Sequence, residues 1–134
     1  MDIVNKEKRS AIMSRVRSAN TSPEVRVRRI LHRLGYRFRL HRRDLPGTPD
    51  IVLPAYDSVI LVHGCFWHRH HGCRDASTPT TRVRFWKKKF DENVARDGRK
   101  TVALEAMGWK VLIVWECELR DEGALAEKLR ELLG

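Results

Sequence analysis

An α/β fold, with a small mixed β-sheet flanked by helices, is the class this sequence predicts, and three observations predict it. Helical start signals precede an apolar 3.6-residue spacing after Ser22. Short apolar runs of strand length follow at 50–54, 59–62 and 109–115. A long helical pattern, 82–107, separates the last two of these runs, which is the alternation of a sheet with crossing helices. The 134 residues are expected to form a single domain, 1–134, with residues 1–20 as an N-terminal arm that orders on a partner.

In chain order, Ser22 is expected to cap a helix with Pro23 in its first turn and Glu24 near the positive end of its dipole. Val27, Ile30, Leu31 and Leu34 share one face, and Gly35 ends the helix. Tyr36, Phe38 and Leu40 alternate with Arg37, Arg39 and His41, which predicts a half-buried strand over 36–41. The segment 45–49 is a turn, 50–54 a second strand, 55–58 a turn and 59–62 a buried third strand. After an irregular loop, 64–81, the helix over 82–107 places Phe85, Trp86, Phe90, Val94 and Leu104 on its apolar side, with Gly98 as an irregularity and Gly108 as its end. A fourth strand covers 109–115, with Trp109 and Trp115 as core residues, and Leu125, Leu129, Leu132 and Leu133 mark a last helix.

Charge narrows the partner. Of the formal +10, residues 1–48 carry thirteen Lys and Arg against four Asp and Glu, while the remainder is nearly balanced. A basic block interleaved with Tyr36, Phe38 and His41 points to nucleic acid, whose phosphates release counterions to Lys and Arg. No apolar run reaches the length that spans a bilayer, and the polar start has no leader-like apolar core. Three cysteines suit a metal better than a disulfide framework, and a reducing cytoplasm is expected.

Cys65, Cys73 and Cys117, with His70 or His71 as the fourth donor, are the ligand set of a closed, structural zinc site. Such a site would pin the loop that carries Phe66, Trp67 and His68. Asp50, at the start of a strand, either holds a hard divalent cation or caps the turn after Pro49. His68 can take a proton from water, and Asp97 and Glu24 are the candidate carboxylates to orient it or to hold water on the metal, although the sequence pattern alone favours a solvated helix-surface acid for each. Phe66, Trp67 and Trp86 can act as a wedge between base steps; Trp86 equally suits packing.

Five separated motifs are similar to those of the very-short-patch repair (Vsr) DNA mismatch endonucleases. They are Leu45-Pro-Gly-Thr-Pro-Asp50, His63-Gly-Cys-Phe-Trp-His68, Thr81-Arg-Val-Arg-Phe-Trp86, Asn93-Val-Ala-Arg-Asp97 and Val111-Leu-Ile-Val-Trp-Glu-Cys117. The resemblance implies a restriction-endonuclease-like core with a structural zinc. It also implies magnesium-dependent nicking of double-stranded DNA on the 5′ side of the thymine in T:G mismatches left by 5-methylcytosine deamination, which initiates very short patch repair. On it, Asp50 and the main-chain carbonyl of Val62 bind magnesium, and His68 is the general base supported by Asp97. His63 is a second active-site histidine, and Glu24 is linked to metal-bound water. Phe66, Trp67 and Trp86 intercalate while the arm clasps the duplex. Zinc falls to Cys65, His70, Cys73 and Cys117, with Gly72 as an inserted residue that leaves His71 an alternative. The resemblance further implies a monomeric, bacterial, nucleoid-associated enzyme with a mismatch-repair protein as a possible partner. The competing readings are a non-catalytic zinc-stabilised DNA-binding module and a nuclease without mismatch preference.

Overall fold

The computed structural model describes residues 22–74 and 76–134. The expected N-terminal arm lies outside the described residues. Helix α1 (Ser22–Arg33) is followed by strands β1 (Arg39–Leu40), β2 (Ile51–Leu53) and β3 (Ser58–His63). Helix α2 (Val83–Ala106), strand β4 (Lys110–Trp115) and helix α3 (Glu122–Leu133) complete the order. The four strands lie in the order β1-β2-β3-β4. The first two pairings are antiparallel and β3–β4 is parallel, so the sheet is mixed as expected.

Local chemistry sets the ends of the elements. After α1 the chain turns at Gly35 (φ 87°), and Tyr36 N–H donates to Leu31 O at 3.0 Å, closing the helix with a 6→1 bond. Gly108 (φ 93°) does the same for α2, where Trp109 N–H donates to Leu104 O at 3.1 Å. Asp121 caps α3 by accepting from Ala124 N–H at 3.0 Å.

The strand expected over 36–41 is shorter than its alternation implied. Tyr36 and Phe38 do pack against the core, but only Arg39 and Leu40 pair, opposite Val52 and Ile51. Its partner is bounded by Pro49 and Pro54, the second of which opens a 3₁₀ turn and has no N–H to donate. At the other end His41 leaves the strand in a left-handed conformation (φ 47°).

Each face of the sheet has its own cover. Ile51, Leu53, Ile60, Leu112 and Val114 pack with Val27, Ile30 and Leu31 of α1 and Leu125, Leu129 and Leu133 of α3. On the other face Val52 and Val59 pack with Leu45 and with Leu104 of α2. Strand alternation then puts Asp50, His63 and Trp115 on the α2 side, in line with Val52, Val59 and Val111.

The helix that meets them presents an inward stripe different from the apolar one expected. Phe90, Asn93, Asp97, Lys100 and Leu104 follow at intervals of three and four residues, and all are buried or half-buried. Phe85 and Val94, expected inside, are 47% and 49% exposed. Polar residues hold the inward stripe because the ends of β2 and β3 that it faces are themselves polar. Gly98 does not interrupt the helix.

Candidate active site

Asp50 directly precedes β2, and its Oδ2 accepts the backbone N–H of Val62 at 2.8 Å. The two residues are therefore brought together through the Val62 amide. Burial pushes the Asp50 carboxyl up to about 6 and Glu24 adds to the rise, against the Val62 amide, His41 and Lys100, which lower it. Glu24, only 1% exposed, reaches from the first turn of α1. Its Oε1 meets His41 Nε2 and Arg28 Nη2, each at 2.5 Å. One donor atom from each of Glu24, His41 and Asp50 falls within 4.8 Å of the others.

Two adjoining carboxylates, one of them pushed up by burial, fit a hard divalent cation, which would offset the cost of keeping both ionised. His41 was not foreseen as a site residue. Its sequence signal is slight, a histidine at the end of an alternating run, whereas its left-handed backbone marks it in the structure.

The next residue along β3 begins a second cluster. His63 is 6% exposed and stacks on His68, with ring centroids 4.0 Å apart and planes 7° from parallel. His68 Nδ1 lies 2.6 Å from Asp97 Oδ2. Desolvation pushes the Asp97 carboxyl up, but the His68 hydrogen bond and the charges of His68, His63 and Lys100 together hold it below its ordinary value. A carboxylate on Nδ1 fixes the proton there and leaves Nε2 as the basic nitrogen. Burial, then the neighbouring His68 charge, lowers His63 to about 4, so this ring is neutral at pH 7. His63 Nδ1 is buried and has no hydrogen-bond partner among the described residues.

Beyond His68 lies the cysteine cluster. The donor atoms of Cys65, His70, Cys73 and Cys117 fall within 4.8 Å of one another. His70 Nδ1 lies 3.7 Å from Cys65 Sγ and 3.5 Å from Cys117 Sγ. Tetrahedral zinc with ordinary bond lengths requires a sulfur–nitrogen separation of about 3.6 Å, so the donor set fits that metal. Of the two candidate histidines, His70 lies in the cluster, and His71 is exposed and outside it. Burial pushes the Cys65 thiol up to about 12 and also raises Cys117.

Trp115, expected in the core, instead joins the two clusters. His70 stacks on its face at 4.1 Å, and it meets His63 edge-to-face at 5.2 Å. Trp109 is half-buried, packed against the smaller core cluster, with the Arg42 guanidinium 5.9 Å from its ring centroid.

The aromatics next to His68 form one block. Phe66 lies 5.2 Å from Trp67, 5.7 Å from Trp86 and 5.2 Å from Phe90. Trp67 is 37% exposed, and its backbone carbonyl accepts from Asn93 Nδ2 at 3.2 Å. Arg69 caps Phe90, its guanidinium carbon 4.1 Å from the ring centroid. An exposed indole is thus fixed beside the histidines by aromatic contacts and a helix side chain.

The fold itself defines a class. It is similar to the catalytic domain of the homing endonuclease I-Bth0305I, with a TM-score of 0.59 at 22% identity over 84% of this chain and 94% of that one. This is a restriction-endonuclease-like core. The sequence is more particular. The family model for DNA mismatch endonuclease Vsr matches residues 1–74. The chain is 55% identical over 132 residues to the type II nicking enzyme V.XorIIP of Xanthomonas oryzae pv. oryzae, covering 98% of this chain and 96% of that one. It is 43% identical over 135 residues to the DNA mismatch endonuclease Vsr of Escherichia coli K12, covering 97% and 86% respectively. The chain belongs to the Vsr DNA mismatch endonuclease family: it is a nuclease, and DNA is its partner. Among the described residues no helix is long and apolar enough to cross a membrane.

Proposed function

We propose that this chain nicks double-stranded DNA on the 5′ side of the thymine in a T:G mismatch and so initiates very short patch repair after 5-methylcytosine deamination. The observation that carries this reading is that the Glu24–Asp50 carboxylates and the His68–Asp97 pair flank one strand end, Val62–His63, beside exposed Trp67. A carboxylate pair, a general base and an apolar wedge are what hydrolysis at a distorted base step needs.

In this reading His68 Nε2 takes a proton from water while Asp97 holds the imidazole and stabilises the imidazolium that forms. The water oxygen bonds to phosphorus, the bond from phosphorus to the 3′-oxygen breaks, and that oxygen takes a proton from solvent. The products are a 5′-phosphate and a 3′-hydroxyl. His63 supports the His68 ring through their stacking. Asp50 and the main-chain carbonyl of Val62 would hold magnesium, with Glu24 linked to its water, and the ion would supply charge stabilisation at the phosphate. Phe66, Trp67 and Trp86 enter the base stack, where a T:G wobble costs less to open than a matched pair.

Cys65, His70, Cys73 and Cys117 hold a structural zinc that fixes the loop between the wedge and the base. Residues 1–134 act as one domain, as a monomer, with residues 1–20 clasping the duplex; a bacterial cytoplasm and a repair-protein partner fit the same reading.

The test uses purified protein with and without magnesium, on a T:G duplex in several flanking contexts and its matched T:A control. The expected product is a single magnesium-dependent nick 5′ of the mismatched thymine. Cutting of both duplexes would replace this reading with a nuclease lacking mismatch preference. Binding without cutting in any context would leave a DNA-binding module.

A further inference from the structure

One cation of the inward α2 stripe has no task in the site as described so far. Lys100 lies one turn beyond Asp97 and one turn before the fully buried Leu104, so its side chain starts towards the sheet and not towards solvent. Its alkyl stem lies flat on the turn that leads into Asp50: a Cβ on Gly47 would stand 2.6 Å from both Lys100 Cγ and Cδ. Gly47 itself adopts φ 72°. Position 47 therefore leaves the stem its channel, and the stem is steered along the Asp50 turn.

Yet the ammonium makes no ion pair or hydrogen bond with any described residue. The carboxylate three residues earlier, Asp97, is engaged by His68 at 2.6 Å, and Asp50 is engaged by the Val62 amide at 2.8 Å. The charge of Lys100 is nonetheless felt on both sides of the site, lowering Asp50 in one cluster and His63 and Asp97 in the other. Lys100 is half-buried, and a cation directed along the Asp50 turn without an ionic partner among the described residues is free to meet an anion that enters the site. The anion that enters this space in a DNA nuclease is a phosphodiester.

We propose that Lys100 is a further catalytic residue of the nicking reaction, its Nζ contacting a non-bridging oxygen of the phosphate that is cut. The inference rests on the reading of the Asp50–His68 region as the nicking site. Negative charge on the non-bridging oxygens must be held as water attacks, and a fixed cation aimed at them lowers the barrier more than the binding energy alone.

The experiment measures single-turnover nicking of a T:G duplex at saturating protein, with DNA binding and melting temperature read in parallel. K100M keeps the stem on Gly47 and removes the charge; its nicking rate is expected to fall about 100-fold, with binding within about threefold of wild type. K100R is expected to recover part of the rate, and added ethylammonium to restore part of the rate of K100A, a rescue that a purely structural role would not give. A K100M rate within about threefold of wild type overturns the proposal. So does a rate loss that follows an equal loss of binding or stability, or one that neither K100R nor ethylammonium reverses. A wild-type protein that nicks no duplex overturns the underlying reading and this one with it, whereas equal nicking by wild type and K100M removes Lys100 alone.

Discussion

The cysteine-rich ligand cluster and the carboxylate ligand cluster are assembled in opposite ways. Three of the four soft donors, Cys65, His70 and Cys73, come from one loop, and the fourth, Cys117, follows two residues after the last strand. The hard donors Glu24, His41 and Asp50 come from a helix, the end of β1 and the start of β2. The first cluster ties a loop to a strand end that the sheet has already placed. The second exists only after α1 has packed on the sheet. On the proposed function the thiol cluster acts on folding and the carboxylate cluster on chemistry, a division that can be broken experimentally.

The largest effect is expected at Asp50. Asp50→Asn keeps an acceptor for the Val62 amide but removes the charge that would hold a cation, so nicking should fall by about 10³-fold or more, at unchanged DNA affinity. The same variant should not lose stability in magnesium-free buffer, because the carboxylate it replaces is one that burial disfavours. A nicking loss accompanied by a fall in melting temperature would mean that Asp50 is a turn cap and that the division fails.

At Cys117 the opposite pattern is expected. Cys117→Ser should lower the zinc content and reduce the melting temperature by about 10 °C or more, since binding energy of the metal is folding energy in such a site. His70→Ala should behave like it, and His71→Ala should leave both readings within error, because His71 is exposed and outside the cluster. A protein that stays fully stable without zinc, or a larger effect at His71 than at His70, would break the assignment.

The same contrast explains what the sequence made legible. Cysteine and histidine crowded between Cys65 and Cys73 announce themselves, because their proximity along the chain is proximity in space. Gly35 and Gly108 likewise act within one turn, and the C-terminal ends of α1 and α2 fall where they dictate. Asp50, Glu24 and Asp97 looked no different from turn and surface acids, because what distinguishes them is a neighbour 12 to 29 residues away. The five-motif resemblance, not periodicity, singled them out. His41 and Lys100 escaped altogether. An apolar-period reading assigns Val94 inward and passes over Lys100, whereas the helix packs over the polar ends of two strands and leaves Val94 exposed and Lys100 half-buried. Trp115 escaped as a site residue for a related reason: the strand period places it on the α2 face but does not reveal that two histidines stack there.

A smaller, pH-dependent effect sharpens the comparison from within the carboxylate side. Burial acts on Asp50 and His63 alike but moves them in opposite directions, up to about 6 and down to about 4. Asp50 is raised on folding, so its contribution is present below its unfolded value near pH 4 and fades as pH rises through 6. His63 is lowered, so its contribution is present above its unfolded value of about 6.5 and fades as pH falls through 4. Over the shared window the two slopes oppose each other, and wild type in magnesium-free buffer should show little net change from this pair. Asp50→Asn removes one slope and exposes the other. Its stability relative to wild type should therefore decline on acidification from pH 7 to pH 4, by at most about 3 kcal/mol. Urea titrations of both proteins across that window measure the difference, and zinc release, common to both, cancels from it. A constant difference would mean that Asp50 is ionised as readily in the folded chain as in the unfolded one, and the case for a cation at its side would rest on geometry alone.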